Sequence, residues 1–142
     1  MKLLGFNLTR INVEKRKDLF SDIKINNNLN IIDVKVIDQS VFKSKDEMIS
    51  VHFKYVVSYD PDAASVEMDG KILLGVDSKL SKDILRQWKD KKLPEDFRIA
   101  LFNIVFRKAG LKAAQLEDEM GLPLHIQMPF IRKEDGSNQA GK

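Results

Sequence analysis

The side chains able to do chemistry are few in this chain, and they are scattered. Cysteine is absent, which excludes thiolate nucleophiles, thiolate metal ligands and a disulfide framework. His52 and His125 are the only imidazoles. Each falls on the polar side of an alternating stretch, and neither is accompanied by other ligands at metal-binding spacing or by a nucleophile signature. They read as surface or hydrogen-bonding histidines. Glu117, Asp118 and Glu119 are consecutive, so on a helix their carboxylates splay apart instead of converging. Gly70 and Gly75 make no phosphate loop. The expectation is therefore no catalytic residue, no metal and no cofactor, and binding is where function has to be sought.

The stretch that asks for a binding role is GLPLHIQMPF, residues 121 to 130. Leu122, Leu124, Ile126, Met128 and Phe130 occupy every second position, the period of a half-buried strand. Pro123 and Pro129 lie within the same run and have no N–H to give to a ladder, so a central strand is ruled out. The pattern predicts an extended, apolar, proline-bracketed ribbon.

Charge narrows the partners. Net charge is +3 with a pI near 9.0, but the 24 basic and 21 acidic residues are interspersed, as on a solvated surface. The densest basic stretch, RQWKDKK from Arg86 to Lys92, surrounds the only tryptophan and reads as a helix end or turn; single-strand binders need several aromatics along a groove. Nucleic acid is not expected as a partner. The short apolar patch at the N-terminus meets Arg10 and Glu14 too soon for a signal peptide or a membrane span. A soluble, cytoplasmic protein is expected, without membrane insertion.

These residues have to be positioned by a sheet and helices. In LLGFNLTRINVEKR the apolar face runs on even positions to Leu8 and on odd ones from Ile11, which predicts a long strand with a bulge near Thr9 and Arg10. Asp18 to Asn30, with three asparagines in a row, reads as loop or short irregular strand. NIIDVKVID places Ile32, Val34 and Val36 on one face. ISVHFKYVVSY is the strongest strand, with Ile49, Val51, Phe53, Tyr55, Val57 and Tyr59 on one side; ASVEMDGKILLG follows the Asp60-Pro61-Asp62 turn, with a kink expected at Gly70. Together they predict an antiparallel meander of four strands. DSKLSKDILRQWKDKK has Leu80, Ile84, Leu85 and Trp88 at helical spacing, with Ser78 or Ser81 as cap. A longer helix opens at Pro94 with Glu95 and Asp96 in its first turn and stops at Gly121. Phe97, Leu101, Ile104 and Val105 form one stripe; Ile99, Phe102 and Phe106 are apolar away from it, so burial on more than one side is expected.

The length suits one domain, taken as residues 1–131, with a polar, disordered tail over 132–142. The fold class is α+β, a four-stranded antiparallel sheet packed by a long C-terminal helix. That is already a complete two-layer domain. Apolar positions are left over on the sheet, the helix and the closing ribbon, and they are expected to meet another subunit or a ligand chain.

Several of these residues and their order are similar to one family. A first strand with Phe6-Asn7-Leu8-Thr9-Arg10-Ile11, three further antiparallel strands with Gly70 in the last, a proline-started helix and a closing Leu-Pro-Leu…Met-Pro-Phe run resemble the SecB protein-export chaperones, most closely their short, divergent relatives. The resemblance spans roughly residues 4 to 131. It implies an ATP-independent holdase that binds unfolded or pre-export polypeptides and is not an enzyme. It also implies a homo-oligomer, dimer or tetramer, with Ala64, Val66 and Met68 at the positions of the contact strand, and a peptide-binding groove lined by Leu122, Leu124, Ile126, Met128 and Phe130. Three departures bear on export coupling and assembly. The chain is mildly basic where the better-known members are acidic, a polar tail stands in place of a further helix, and Ala109 to Met120 lengthens the helix before the ribbon. The groove is then either open or filled by the protein itself. The alternative function is a dedicated interaction or adaptor module on the same scaffold, with one specific partner.

Overall fold

The computed structural model describes residues 1–18, 20–37 and 46–129. Phe130 and the tail expected over 132–142 lie outside the described residues, as does most of the charged turn after Ile37. Four long strands come first: β1 (Lys2–Lys15), β2 (Lys24–Ile37), β3 (Glu47–Asp60) and β4 (Ala64–Val76). Two helices follow, α1 (Ser78–Trp88) and α2 (Glu95–Glu119). The fold is α+β, as the alternation of apolar residues predicts.

All strand pairs are antiparallel, and the order across the sheet is β1-β4-β3-β2. The meander expected of the four strands is therefore realised in β2, β3 and β4, while β1 pairs with β4. Alternation says which side of a strand is wet, but not which strand lies beside it. Phe6 sits opposite Ile72 and Val13 opposite Val66, so the apolar face of β1 continues that of β4. The link from β1 to β2 crosses the β3–β4 turn and is tied to it: the Arg16 and Lys17 amides both donate to the Ala63 carbonyl, and the Arg16 Nε lies 2.8 Å from the Asp62 carboxylate.

Irregularities in the ladders set the faces. The bulge expected near Thr9 is present, between Leu8 opposite Gly70 and Arg10 opposite Asp69. In β2 a shift between Ile31 and Asp33 leaves Ile32 as the extra residue, 46% exposed, while Leu29, Ile31, Val34 and Val36 share the inner face. The grouping of Ile32 with Val34 is corrected by that bulge, because one inserted residue reverses the alternation. Strand β2 also runs back through Asn26, Asn27 and Asn28, where a loop is expected. Pairing with β3 outweighs the weak strand preference of asparagine.

Both helices cover the inner face. There Ile49, Val51, Phe53, Tyr55, Val57 and Tyr59 of β3 and Val66, Met68, Ile72 and Leu74 of β4 are fully buried. The outer face is half-exposed and polar, with Arg10 and Lys54 paired to Glu67 and Asp69 across it. Asp77 caps α1, its side chain accepting from the Leu80 amide at 2.7 Å. Of the expected caps, Ser78 is the first helical residue and Ser81 lies one turn in and is buried. In α2 the residues at every fourth position, Phe97, Leu101, Val105, Ala109, Ala113 and Glu117, lie against the sheet. Ile99, Phe106 and Leu111 remain exposed, so burial on more than one side is not met within one copy. The helix ends at Gly121, whose φ of +66° suits glycine, with the Leu122 amide closing back on the Glu117 carbonyl.

Gly70 is required by its neighbours. A Cβ there would lie 2.6 Å from Phe53 Cζ and 2.7 Å from the Asn7 carbonyl oxygen. At Gly5 the nearest atom would be Leu73 Cδ1 at 3.6 Å, an ordinary contact. Gly70→Ala is expected to destabilise the fold by about 2 kcal/mol through overpacking, and Gly5→Ala to be close to neutral. Thermal unfolding of the two variants beside the parent checks this; equal melting temperatures would show that Phe53 and β1 give way without cost.

Candidate functional site

Beside the free edge of β2 runs a trough of about 630 Å³. Its wall on the sheet side is Leu29, Ile31 and Ile32, and its opposite wall is Trp88, Leu93 and Phe102, brought there by the end of α1 and the first turns of α2. Among the described residues no strand pairs with the outer edge of β2. Its outward N–H and C=O groups lack ladder partners there. Asn30, Gln87, Lys91, Lys92 and Arg98 complete the lining. Trp88 and its basic neighbours sit at the helix end that the sequence predicts, and α2 folds back so that the same residues also wall the trough. A single aromatic gave no warning of it.

A second hollow, of about 920 Å³, lies between α1 and the start of α2 and is bordered by Met1, Leu80, Phe97, Asp83, Arg86 and Glu95 among others. Its lining mixes both charges and offers no convergent donor set. Among the described residues no three His, Asp or Glu side chains are placed to share a metal ion. His52 is half-exposed on the outer face, opposite Asp33 and Lys71.

The segment after Gly121 is not a strand, and its side chains do not alternate as the sequence predicts. Leu122 is in the core, 5% exposed, and Leu124 is half-buried, while Ile126 and Met128 are exposed. Phe130 lies outside the described residues. His125, expected on the polar side, turns inward: its side chain is 3% exposed and meets Glu117, whose side chain is completely covered. The His125 Nδ1 and backbone amide both donate to the Glu117 carboxylate, at 2.8 and 3.1 Å. With Nδ1 carrying the proton, Nε2 accepts from the Tyr55 hydroxyl at 3.3 Å. The Tyr59 hydroxyl donates to the Pro123 carbonyl.

The cause of this arrangement is solvation. A carboxylate in the apolar layer under α2 requires donors, and the chain just past the helix end supplies them. Small residues make the room: a Cβ on Gly110 would come within 3.7 Å of His125 Nε2. Nδ1 is committed to the Glu117 carboxylate and Nε2 to the Tyr55 hydroxyl, so the group acts as a clasp that pins residues 122–125 to the sheet. A ladder of edge-on rings links the clasp to the trough: His125 to Tyr55 at 6.4 Å, Tyr55 to Phe106 at 6.0 Å, and Phe106 to Phe102 at 6.1 Å.

Ala64, Val66 and Met68 are no more than 1% exposed, covered within the single chain on the inner face of β4. The exposed apolar side chains lie elsewhere: Leu3, Leu4 and Ile11 on the edge strand β1, and Ile99 and Leu111 on α2.

No family model and no curated protein matches the chain. Among solved structures the fold is similar to that of a SecB-like chaperone of Mycobacterium tuberculosis, solved in complex with a ChAD peptide from an antitoxin. The superposition covers 92% of this chain and 91% of that one, with a TM-score of 0.51 and 11% sequence identity. The chain therefore has a SecB-like fold. No helix among the described residues is long and apolar enough to cross a membrane.

The clasp has an optical signature. The chain has two tyrosines, and both belong to this site. Burial holds the Tyr59 hydroxyl well above the ordinary tyrosine range, with the nearby Glu117 charge adding to the effect, and it raises Tyr55 in the same direction. A folded-state pKa above the unfolded value of 10.0 means that the unfolded chain releases protons first as pH rises. Stability is expected to be unaffected by these groups below pH 10 and to fall above it. Tyrosinate absorbance should appear only together with unfolding, and Tyr59→Phe should blunt the alkaline loss. Free titration of both hydroxyls near their ordinary value in the folded protein would overturn the assignment.

Proposed function

We propose that this SecB-like fold serves as an ATP-independent chaperone in the cytoplasm, taking extended segments of unfolded or pre-export polypeptides into the trough beside β2. The observation that supports this most is the juxtaposition of an apolar wall with an unpaired strand edge. An unfolded chain offers apolar side chains and unsatisfied backbone groups together. Apolar burial contributes about 25 cal/mol per Å² whatever the neighbouring sequence, which allows many clients, and the strand edge supplies main-chain partners common to all of them. That a chaperone of the same fold is held in complex with a peptide from another protein supports polypeptide as the ligand class.

In this reading the ribbon contributes unevenly. Leu122 is its root in the core and Leu124 its half-covered shoulder; Ile126 and Met128, exposed beyond the clasp, add apolar surface for the client. The protein also associates with copies of itself. Because Ala64, Val66 and Met68 are already covered in one copy, that contact falls to the exposed apolar side chains of β1 and α2. The clasp favours a second reading, since it fills part of the inner face with the protein's own chain and so narrows what the trough accepts: an adaptor with one specific partner.

Aggregation of several unrelated unfolded proteins, followed by light scattering without nucleotide, is expected to be suppressed. Trp88 is the only tryptophan and lines the trough, so its emission should change on adding client. Phe102→Asp, checked by melting to be folded, should weaken binding by about tenfold, as loss of a central apolar anchor does. Solution mass should be that of a dimer or tetramer. One tight partner in a pull-down with no general suppression would establish the adaptor instead, and failure with every client and partner would remove both readings.

A further inference from the structure

We infer that the trough selects extended segments whose apolar residues are flanked by acidic ones, and that these segments add to β2 as a fifth strand. This rests on the polypeptide-binding reading and goes further by naming the class of segment. The charged residues lining the trough are Lys91, Lys92 and Arg98, with no carboxylate among them. Five cations elsewhere, Arg10, Arg16, Lys35, Lys54 and Arg86, each have a carboxylate within ion-pair distance. Among the described residues none is within that distance of Lys91, Lys92 or Arg98. Of the nearby acids, Glu95 and Asp96 line the hollow on the other side of the α1–α2 turn.

The cations are also placed. Lys91 Nζ lies 4.7 Å from the centre of the Trp88 ring, and the Arg98 guanidinium lies 5.7 Å from that of Phe102. Each charge rests on an aromatic that forms the trough wall, so a carboxylate arriving beside a buried apolar side chain meets a positive group already held in position. An extended client rises about 3.3 Å per residue and alternates its side chains. One set can enter between Phe102 and Ile31, while the intervening set points toward the rim where the cations stand. Lys24, exposed on β2, acts in the same sense. Lysines on an edge strand discourage pairing with neutral or basic strands, and an acidic one relieves that penalty.

Three synthetic peptides with one apolar extended core, flanked by acidic, neutral or lysine residues, test this against the full chain, with Trp88 emission as readout. At low ionic strength the acidic peptide is expected to bind about tenfold tighter than the neutral one, with the lysine peptide weakest, and the difference should vanish near 1 M salt, where the screening length is about 3 Å. Combined Lys91→Gln, Lys92→Gln and Arg98→Gln, all at exposed positions, should abolish the preference, so that the acidic, neutral and lysine peptides bind with one affinity. Binding should protect amides of residues 24–37 from hydrogen exchange. Equal affinity for all three peptides would overturn the charge selection and leave the chaperone reading standing. Binding without protection of β2 would overturn strand addition. Displacement of the peptide by single-stranded RNA at low salt would assign the cations to nucleic acid, and no binding by any peptide, with no suppression of aggregation, would end both proposals.

Discussion

A carboxylate taken out of water has to be met by donors, and the C-terminal half of this molecule is arranged around meeting one. Glu117 lies at the end of the α2 stripe that faces the sheet, where the preceding positions are Phe97, Leu101, Val105, Ala109 and Ala113. Left alone there it would cost several kcal/mol or give up its charge. Gly121 reverses the backbone, and His125 returns to supply both its ring and its amide. Pro123 and Tyr59 fix the intervening carbonyl. The path of the chain after the helix is thus set by polar satisfaction, with Leu122 the one side chain of the ribbon drawn into the core.

That clasp divides the inner face into a filled part and an open part. Near Tyr59 and Tyr55 the protein covers itself; farther along β2, between Ile31 and Phe102, it does not. The ring contacts from His125 through Tyr55 and Phe106 to Phe102 mark the passage from one to the other. In the open part apolar surface meets a free strand edge, and Lys91, Lys92 and Arg98 stand at its rim. Interspersed charge in the sequence hides this, because a rim is assembled from the α1–α2 turn and the first turns of α2.

Much of the scaffold was readable from residue order. Burial on β3 follows the alternation from Ile49 to Tyr59 without exception, the β1 bulge falls where the apolar face changes parity, and the long helix begins after Pro94 and ends before Gly121. What escaped depends on contacts between distant segments. Nothing in β1 says that its partner is β4. The Ile32 bulge needs the register of β3, and asparagines become strand only because a neighbour holds them. Two expectations that the structure alters, the alternation along the ribbon and the polar side for His125, have one origin: a period-two reading counts apolar side chains and cannot see that a histidine has an obligation to a buried acid. The trough was missed because its walls come from three elements, each unremarkable alone.

The position of β1 beside β4 has a consequence for biosynthesis. The first strand to leave the ribosome cannot pair until the last has emerged, since Lys15 waits for Ala64 and Lys2 for Gly75. Ladders of such long range are slow to close and leave a strand unprotected meanwhile. Until translation has passed Val76, the nascent protein carries a long, partly apolar strand with no ladder yet to join.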